Sequence, residues 1–489
     1  MVTRAATGTS AEAAAAHLGT ALRKVGYDED ALEALGEDGA SADPEDVPVL
    51  LRRLEPGPLA TVIEALFLSR PVSKRAAVQA LGARGVAALH SSGLADVGKQ
   101  VVPRARVLPV GELLIAGDGF SKGQDDPPDF VTPFSVTSQL CAALTPRRRV
   151  RSALDVGTGS GVQALLAARH AERVIATDVN ERALHFTRVN AGLNGLTNIE
   201  TRQGVLFEPV GEERFDLITC NAPYVISPES RWLYRDGGHT GDSLSARVVE
   251  GAAERLADGG FATLNVSWLA ADERAPDERV LEWIDTSTCD AWVLVAWEAD
   301  PLDHAAGWAA DAAHGAEVDA ALDEWTRYFD GLGAGWVTEG TVILHRRAGV
   351  RRTVRIDSID PDELDDASAQ VQRAFAARVR LSELQRRDGL LKLRLRVATK
   401  LTSQQELGRR GSRVPVTLAL AEGTRSAVDT TAAAVDVVRA FDGAVTLEAA
   451  IRSTAQKLGL DDAAASKLRR EALGLVRDLL ELGALAFVR

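Results

Sequence analysis

The chain has 489 residues, 46% of them hydrophobic, and carries a formal net charge of -13. That much apolar sequence excludes wholesale disorder, and the length exceeds what one core holds, so about three domains of roughly 150 residues are expected. The acidic balance argues against nonspecific nucleic-acid binding by the whole surface but leaves room for a local basic face. No apolar run reaches the roughly 18 residues of a bilayer span, and residues 11–16 lack the charged start and long core of a signal peptide. A cytoplasmic protein with no membrane partner is the expectation. Cys141, Cys220 and Cys289 form no paired spacing and the eight histidines are scattered, so neither a disulfide framework nor a metal site is expected.

From residue 11 to about 88 apolar positions recur every three or four residues, with breaks at Gly26, Gly36, Pro44, Pro56-Gly57 and Pro71. This spacing predicts a bundle of short helices, and no cluster of catalytic residue types falls within it. Residues 101–118 read as extended and close a first domain, 1–118. The polar stretch from Gly119 to Pro128 leads into a second, 119–349, where strand-like and helix-like segments alternate as in a parallel sheet covered on both faces. Strands are predicted near 152–157, 173–178, 199–203, 215–220, 261–267, 291–298 and 337–346, a seven-stranded, doubly wound α/β sheet whose last two strands form an antiparallel edge pair. The connection 300–336 is long and carries Trp308, Trp325, Tyr328, Phe329 and Trp336. Two readings of it stand, a helical cover over a site or aromatic packing on the sheet edge.

A third domain, 350–489, changes character. Residues 373–413 hold twelve Arg or Lys against three acids, and Leu391–Val397 alternates so that Lys392, Arg394 and Arg396 share one face of a strand. Such a strip is either a solvated face or a phosphate-binding one. Helices are predicted over 446–458 and 464–482, the second stopped by Gly483, with a strand at 484–488. Helices followed by a terminal strand give an α+β segment that resembles a winged helix.

The chemistry-bearing residues fall in the middle domain. Ala153-Leu154-Asp155-Val156-Gly157-Thr158-Gly159-Ser160-Gly161 reads as a strand running into a glycine turn that opens a helix, so backbone can approach a ligand closely. Asp178 ends the next strand, placed to accept two ribose hydroxyls. A dinucleotide site competes with this reading, but the spacing is Gly-x-Gly-x-Gly and Asp155 would repel a pyrophosphate, whereas it suits a cationic amino-acid head reached through water. The segment resembles the first motif of the class I S-adenosylmethionine-dependent methyltransferases, a resemblance that covers about residues 130–347. It implies a Rossmann-like methyltransferase sheet with S-adenosyl-L-methionine as cofactor. By the same resemblance Asp155, Gly157, Thr158, Gly159 and Gly161 line the methionine part, Asp178, Val179 and Asn180 the ribose, and Gly204 and Val205 the adenine.

Sixty residues on, the strand 215–220 ends in Asn221-Ala222-Pro223-Tyr224. An amide or exocyclic amine is a poor nucleophile because its lone pair is delocalised. The Asn221 side-chain oxygen and the Ala222 carbonyl can each accept one of its N–H bonds, while Tyr224 stacks on the planar group and Pro223 stiffens the turn. These four are the expected catalytic residues, with Asn221 also bordering the cofactor. The segment resembles the Asn-Pro-Pro-Tyr motif of amino-group methyltransferases, Ala222 keeping the carbonyl that the role requires. Upstream, Phe130, Thr132 and Thr137 occupy the place where relatives carry a segment over cofactor and substrate, and with Tyr224 they are the expected substrate contacts. The polar turn 235–242 is a further candidate.

Overall the chain resembles the HemK/PrmC-like branch, whose members methylate a glutamine side chain of translation release factors and join an N-terminal helical domain to this catalytic domain. With the basic C-terminal addition the order resembles a group of three-domain actinobacterial proteins. The acceptor that the resemblance implies is a protein glutamine, in a translation factor. Ribosomal RNA bases, at guanine N2 or adenine N6, are the alternative, favoured by the basic strip. A third reading is a binding or scaffold protein retaining the cofactor pocket.

Overall fold

A computed structural model describes residues 10–36, 43–121, 126–221, 223–228, 240–272, 276–284, 288–312, 316–347, 353–384, 388–405 and 415–488. Its centre is an eight-stranded sheet. The strands are β1 (Val150–Val156), β2 (Ala171–Asp178), β3 (Ile199–Gln203), β4 (Phe215–Cys220), β5 (Leu256–Ala270), β6 (Cys289–Ala299), β7 (Trp336–Arg346) and β8 (Val354–Ser358). Their order is β8-β6-β7-β5-β4-β1-β2-β3, and β7 alone among the eight runs antiparallel to its neighbours. All seven strands expected from the sequence are present. The expected edge is not, because β8 pairs parallel with β6 outside it. This eighth strand lies beyond the boundary at 349, in the stretch that composition assigns to the basic segment. A five-residue strand with no fully buried residue gives only a weak periodic signal, which hides it from a reading of the sequence.

Near-continuous apolar runs such as Ala291–Trp297 suit a sheet buried on both faces. Alternation divides them. Ala153, Val174, Ala176, Leu217 and Trp292 join one core with helices Val136–Leu144, Val162–Ala168 and Ser368–Glu383. Leu154, Val156, Ile175, Ile218 and Leu264 join the other, under helices Ser243–Arg255 and Glu278–Trp283. The chain leaves β3 and returns on the far side of β1, so the strand order reverses between β1 and β4. A ligand crevice forms at the carboxyl ends of strands at such a point.

The flanking segments are built onto this sheet. N-terminal helix Ser10–Lys24 crosses helix Glu181–Leu193 so closely that a Cβ on Gly192 would stand 2.5 Å from the Glu12 carbonyl oxygen. Arg23 donates to the Leu193 carbonyl at 2.8 Å, and Asn190 clamps both backbone polar groups of Ala116 in the hairpin 106–117. The first segment is more than a helical bundle, since strands 72–73, 95–97 and 100–103 form a small antiparallel sheet beside helix Lys74–Ser91.

Beyond β8 the helices Leu447–Lys457 and Asp462–Glu481 and the strand Leu485–Phe487 agree with the pattern read from the sequence. The expected strand over 391–397 is shorter. Residues 388–391 are helical and only Arg394–Val397 is extended, so Lys392 lies in a turn while Arg394 and Arg396 share an exposed face. That strand is flanked by Asp442–Thr446 and Leu485–Phe487, antiparallel to both. From 432 to 487 the elements run helix, strand, helix, helix, strand, and the middle strand of that small sheet, Arg394–Val397, comes from upstream. No helix among the described residues is long and apolar enough to cross a membrane, and the three cysteines are buried and unbridged.

Candidate functional site

Strand register brings the two motifs together. Val156 at the end of β1 is level with Cys220 of β4 on one side and with Thr177 of β2 on the other. Gly157, Asp178 and Asn221 are each one residue further on, so they share one rim of the sheet. Gln203 of β3 pairs with Asp178, which puts Gly204 and Val205 on the same rim.

The turn after β1 runs through Gly157 and Gly159 at φ 64° and 55°, left-handed values that side-chain-bearing residues adopt at a cost. Asp155 lies beneath it, 2% exposed. One carboxylate oxygen accepts from the Thr158 hydroxyl at 2.7 Å and the Ala164 N–H at 3.1 Å, the other from Thr219 at 3.0 Å. Burial pushes this carboxyl up to about 6 despite those donors. With three of its four lone pairs engaged internally, Asp155 braces the turn. Thr158 is its partner.

Asp178 is differently disposed. Its oxygens accept backbone N–H groups, from Gly159 at 2.9 Å and from Asn180 at 2.9 Å, with a further backbone contact from Val179. A carboxylate offers four lone pairs against these three donors, so Asp178 keeps capacity for a hydroxyl. Burial holds this carboxyl above its ordinary range. Val179 and Val205 are 43% and 39% exposed on the rim, an apolar pair of the kind a flat ring packs on. Asn180 is occupied otherwise. Its oxygen caps helix Glu181–Leu193 through the Arg182 N–H, and its amide holds the Asp129 carbonyl at 3.0 Å.

At the tip of β4, Asn221 is half-buried and held from three sides. Its amide nitrogen donates to the Thr137 hydroxyl at 3.3 Å and the Ser138 hydroxyl at 3.2 Å, and its oxygen accepts from Asn265 at 2.8 Å. Asn265 also donates to the Thr137 carbonyl at 2.8 Å and accepts from Thr341 at 2.8 Å. Tyr224 shares a hydrogen bond with the Thr137 side chain, and its carbonyl accepts from Ser267. Ala222 lies outside the described residues, as does most of the turn 235–242. Of the upstream substrate candidates, Thr137 is at the site, Phe130 is buried in the neighbouring segment, and Thr132 is exposed. Asn265 and Thr341 give no signal in the sequence, since single polar residues inside buried strands belong to no motif.

The aromatic connection forms helices Pro301–Ala312 and Ala316–Leu332, and its Trp325 and Phe329 pack with Ile226, two residues past Tyr224. His304 lies 3.4 Å from the Ile226 carbonyl and 3.6 Å from Glu339 of β7. Glu339, hydrogen-bonded to Trp308, is pushed by burial up to about 7, and burial draws His304 down to about 4. Both expectations for this stretch describe part of it: it is aromatic packing, and it packs on the chain that leaves the site. Among the described residues no group of three or more His, Cys, Asp or Glu is placed to hold a metal ion.

Residues 134–278 match the family model of the methyltransferase small domain. The chain is 35% identical over 165 residues to the ribosomal protein uL3 glutamine methyltransferase of Bradyrhizobium diazoefficiens, covering 30% of this chain and 51% of that one. It is 34% identical over 131 residues to the release factor glutamine methyltransferase of Xylella fastidiosa, covering 24% and 47%. The chain thus spans about half the length of the curated relatives it matches. Among solved structures, a methyltransferase from Pyrococcus furiosus overlaps 49% of this chain and 91% of its own at 19% identity and TM-score 0.30. The matched segment is similar to the methyltransferase small domain, and both of these relatives are named as glutamine methyltransferases.

Proposed function

We propose that the chain is an S-adenosylmethionine-dependent N-methyltransferase whose acceptor is a planar nitrogen, the side-chain amide of a protein glutamine. The observation that carries this reading is the shared rim: Gly157–Gly161 and Asp178 on one side, Asn221 and Tyr224 on the other, one strand apart. The residues present fit the cofactor. Left-handed glycines let the turn approach a ligand, Asp178 keeps acceptor capacity for a ribose hydroxyl, and Val179 and Val205 offer apolar cover for a purine. When bound, the cofactor supplies an electrophilic methyl group.

The protein's part is positioning. The Asn221 oxygen takes one acceptor N–H and the Ala222 carbonyl the other, which fixes the nitrogen and favours its pyramidal form. Tyr224, tied to Thr137, forms a wall on which the planar group stacks. The proton can leave after transfer, so no strong base is required, and aligning the two reactants supplies most of the acceleration. The relatives named as glutamine methyltransferases support a protein acceptor. The exposed Arg394 and Arg396 favour ribosomal RNA as the second reading, although Asp442 stands opposite Arg396 in register.

Purified release factors, ribosomal proteins and naked ribosomal RNA, each incubated with the protein and labelled cofactor, separate the two. Label recovered as N-methylglutamine supports the proposal. Label in RNA, bound with a steep salt dependence, replaces it with the second reading, and label in none of them overturns both.

A further inference from the structure

Hydrogen-bond logic fixes which way Asn221 faces. The Thr137 carbonyl can only accept, so the Asn265 atom 2.8 Å from it is the amide nitrogen. That nitrogen has one more N–H, directed at Asn221 at 2.8 Å, and Asn221 must therefore turn its oxygen toward β5. The Asn221 nitrogen then meets the two hydroxyls of Thr137 and Ser138, which can accept. The Asn265 oxygen is left for the Thr341 hydroxyl, buried like Asn265 itself. Reversing Asn221 would set two NH₂ groups face to face.

We propose that Asn265 is a positioning residue: anchored on the Thr137 carbonyl and on Thr341, it sets the orientation of the Asn221 carboxamide so that oxygen, not nitrogen, is presented to the methyl acceptor. This rests on the proposed function, in which that oxygen receives an acceptor N–H. One lone pair takes the Asn265 N–H and the other is left for the acceptor. Donation by the Asn221 nitrogen to two hydroxyls polarises the carboxamide further, strengthening its oxygen as an acceptor. The device joins the tip of β4 to β5, β7 and helix Val136–Leu144.

Two variants of the full chain test it. In Asn265→Asp a carboxylate replaces the amide, so the Asn221 nitrogen is drawn toward β5 and the wrong group faces the acceptor. With purified release factor as the probe, kcat/KM at pH 8 should fall about 100-fold while the cofactor Kd stays within twofold of wild type. Lowering the pH to 6 should narrow the gap at least threefold, because a protonated carboxyl can donate to the Asn221 oxygen as the amide does. A gap constant from pH 6 to 8, or one explained by lost cofactor affinity, overturns the assignment.

The second test needs no acceptor. The Tm loss caused by Asn265→Leu should shrink by at least a third in an Asn221→Ala background, where the partner oxygen is gone. Equal losses in both backgrounds overturn the relay. Absence of N-methylglutamine in release factors and ribosomal proteins alike would overturn the proposed function, whereas this cycle tests Asn265 by itself.

Discussion

Replacing Glu339 by Gln isolates a buried proton at the edge of the site. The folded protein holds this carboxyl at about 7, against 4.5 when it is exposed, because burial disfavours its charged form. The unfolded chain therefore releases the proton first as pH rises. Between about pH 4.5 and pH 7 the unfolded state binds fewer protons than the folded one, and stability falls through that window. At about 1.4 kcal/mol per unit, a gap of some 2.5 units is worth about 3 kcal/mol. Gln has almost the same shape and keeps an oxygen for Trp308, but it never ionises. At pH 4.5 the variant should match the wild type, and at pH 8 it should be the more stable by about 2–3 kcal/mol. Chemical denaturation of both proteins at the two pH values, followed by tryptophan fluorescence, gives the difference. A difference unchanged between them would refute the placement of a protonated Glu339 beneath the aromatic helices.

Asp178→Ala removes the acceptors proposed for the ribose hydroxyls and frees the Gly159 and Asn180 N–H groups. Calorimetry should show S-adenosylmethionine binding weakened about 100-fold or more, equivalent to about 3 kcal/mol, and unchanged affinity would contradict the role. Gly192→Val forces a side chain into the space where helix Ser10–Lys24 crosses helix Glu181–Leu193. It should lower stability by about 1–3 kcal/mol, read as a lower Tm, and an unaltered melt would mean that the two helices do not meet as described.

What can be read in the sequence follows signal strength. Seven strands of the sheet are legible because apolar clusters such as Ala291–Trp297 stand out between turn residues and helical segments. Asp155, Gly157 and Gly159 are legible because a left-handed turn leaves glycines at fixed spacing. The strand Val354–Ser358 is not, since Val354, Arg355, Ile356 and Asp357 are all only partly buried and a short mixed strand lacks the contrast that periodicity detects. Pairing of β8 with β6 depends on the whole sheet. Lys392 misleads for the opposite reason: a strict alternation over 391–397 looks like one strand, but its first residues complete a helical turn whose Leu391 packs into the core. Asn265 and Thr341 are 76 residues apart in sequence and meet only through strand order. Individual polar residues within buried strands gain their meaning from neighbours that no local pattern announces.

In the proposed reaction Asn221 borders the cofactor but acts chiefly by orienting the acceptor. Asn221→Ala, assayed with labelled S-adenosylmethionine and purified release factor beside a calorimetric titration of the cofactor alone, tests this most directly. Methyl transfer should fall at least about 100-fold with cofactor binding within about threefold of wild type, since a positioned donor-acceptor contact in the transition state is worth roughly 3 kcal/mol. Wild-type turnover in that variant, or a loss of cofactor binding that alone explains the lost turnover, would contradict it.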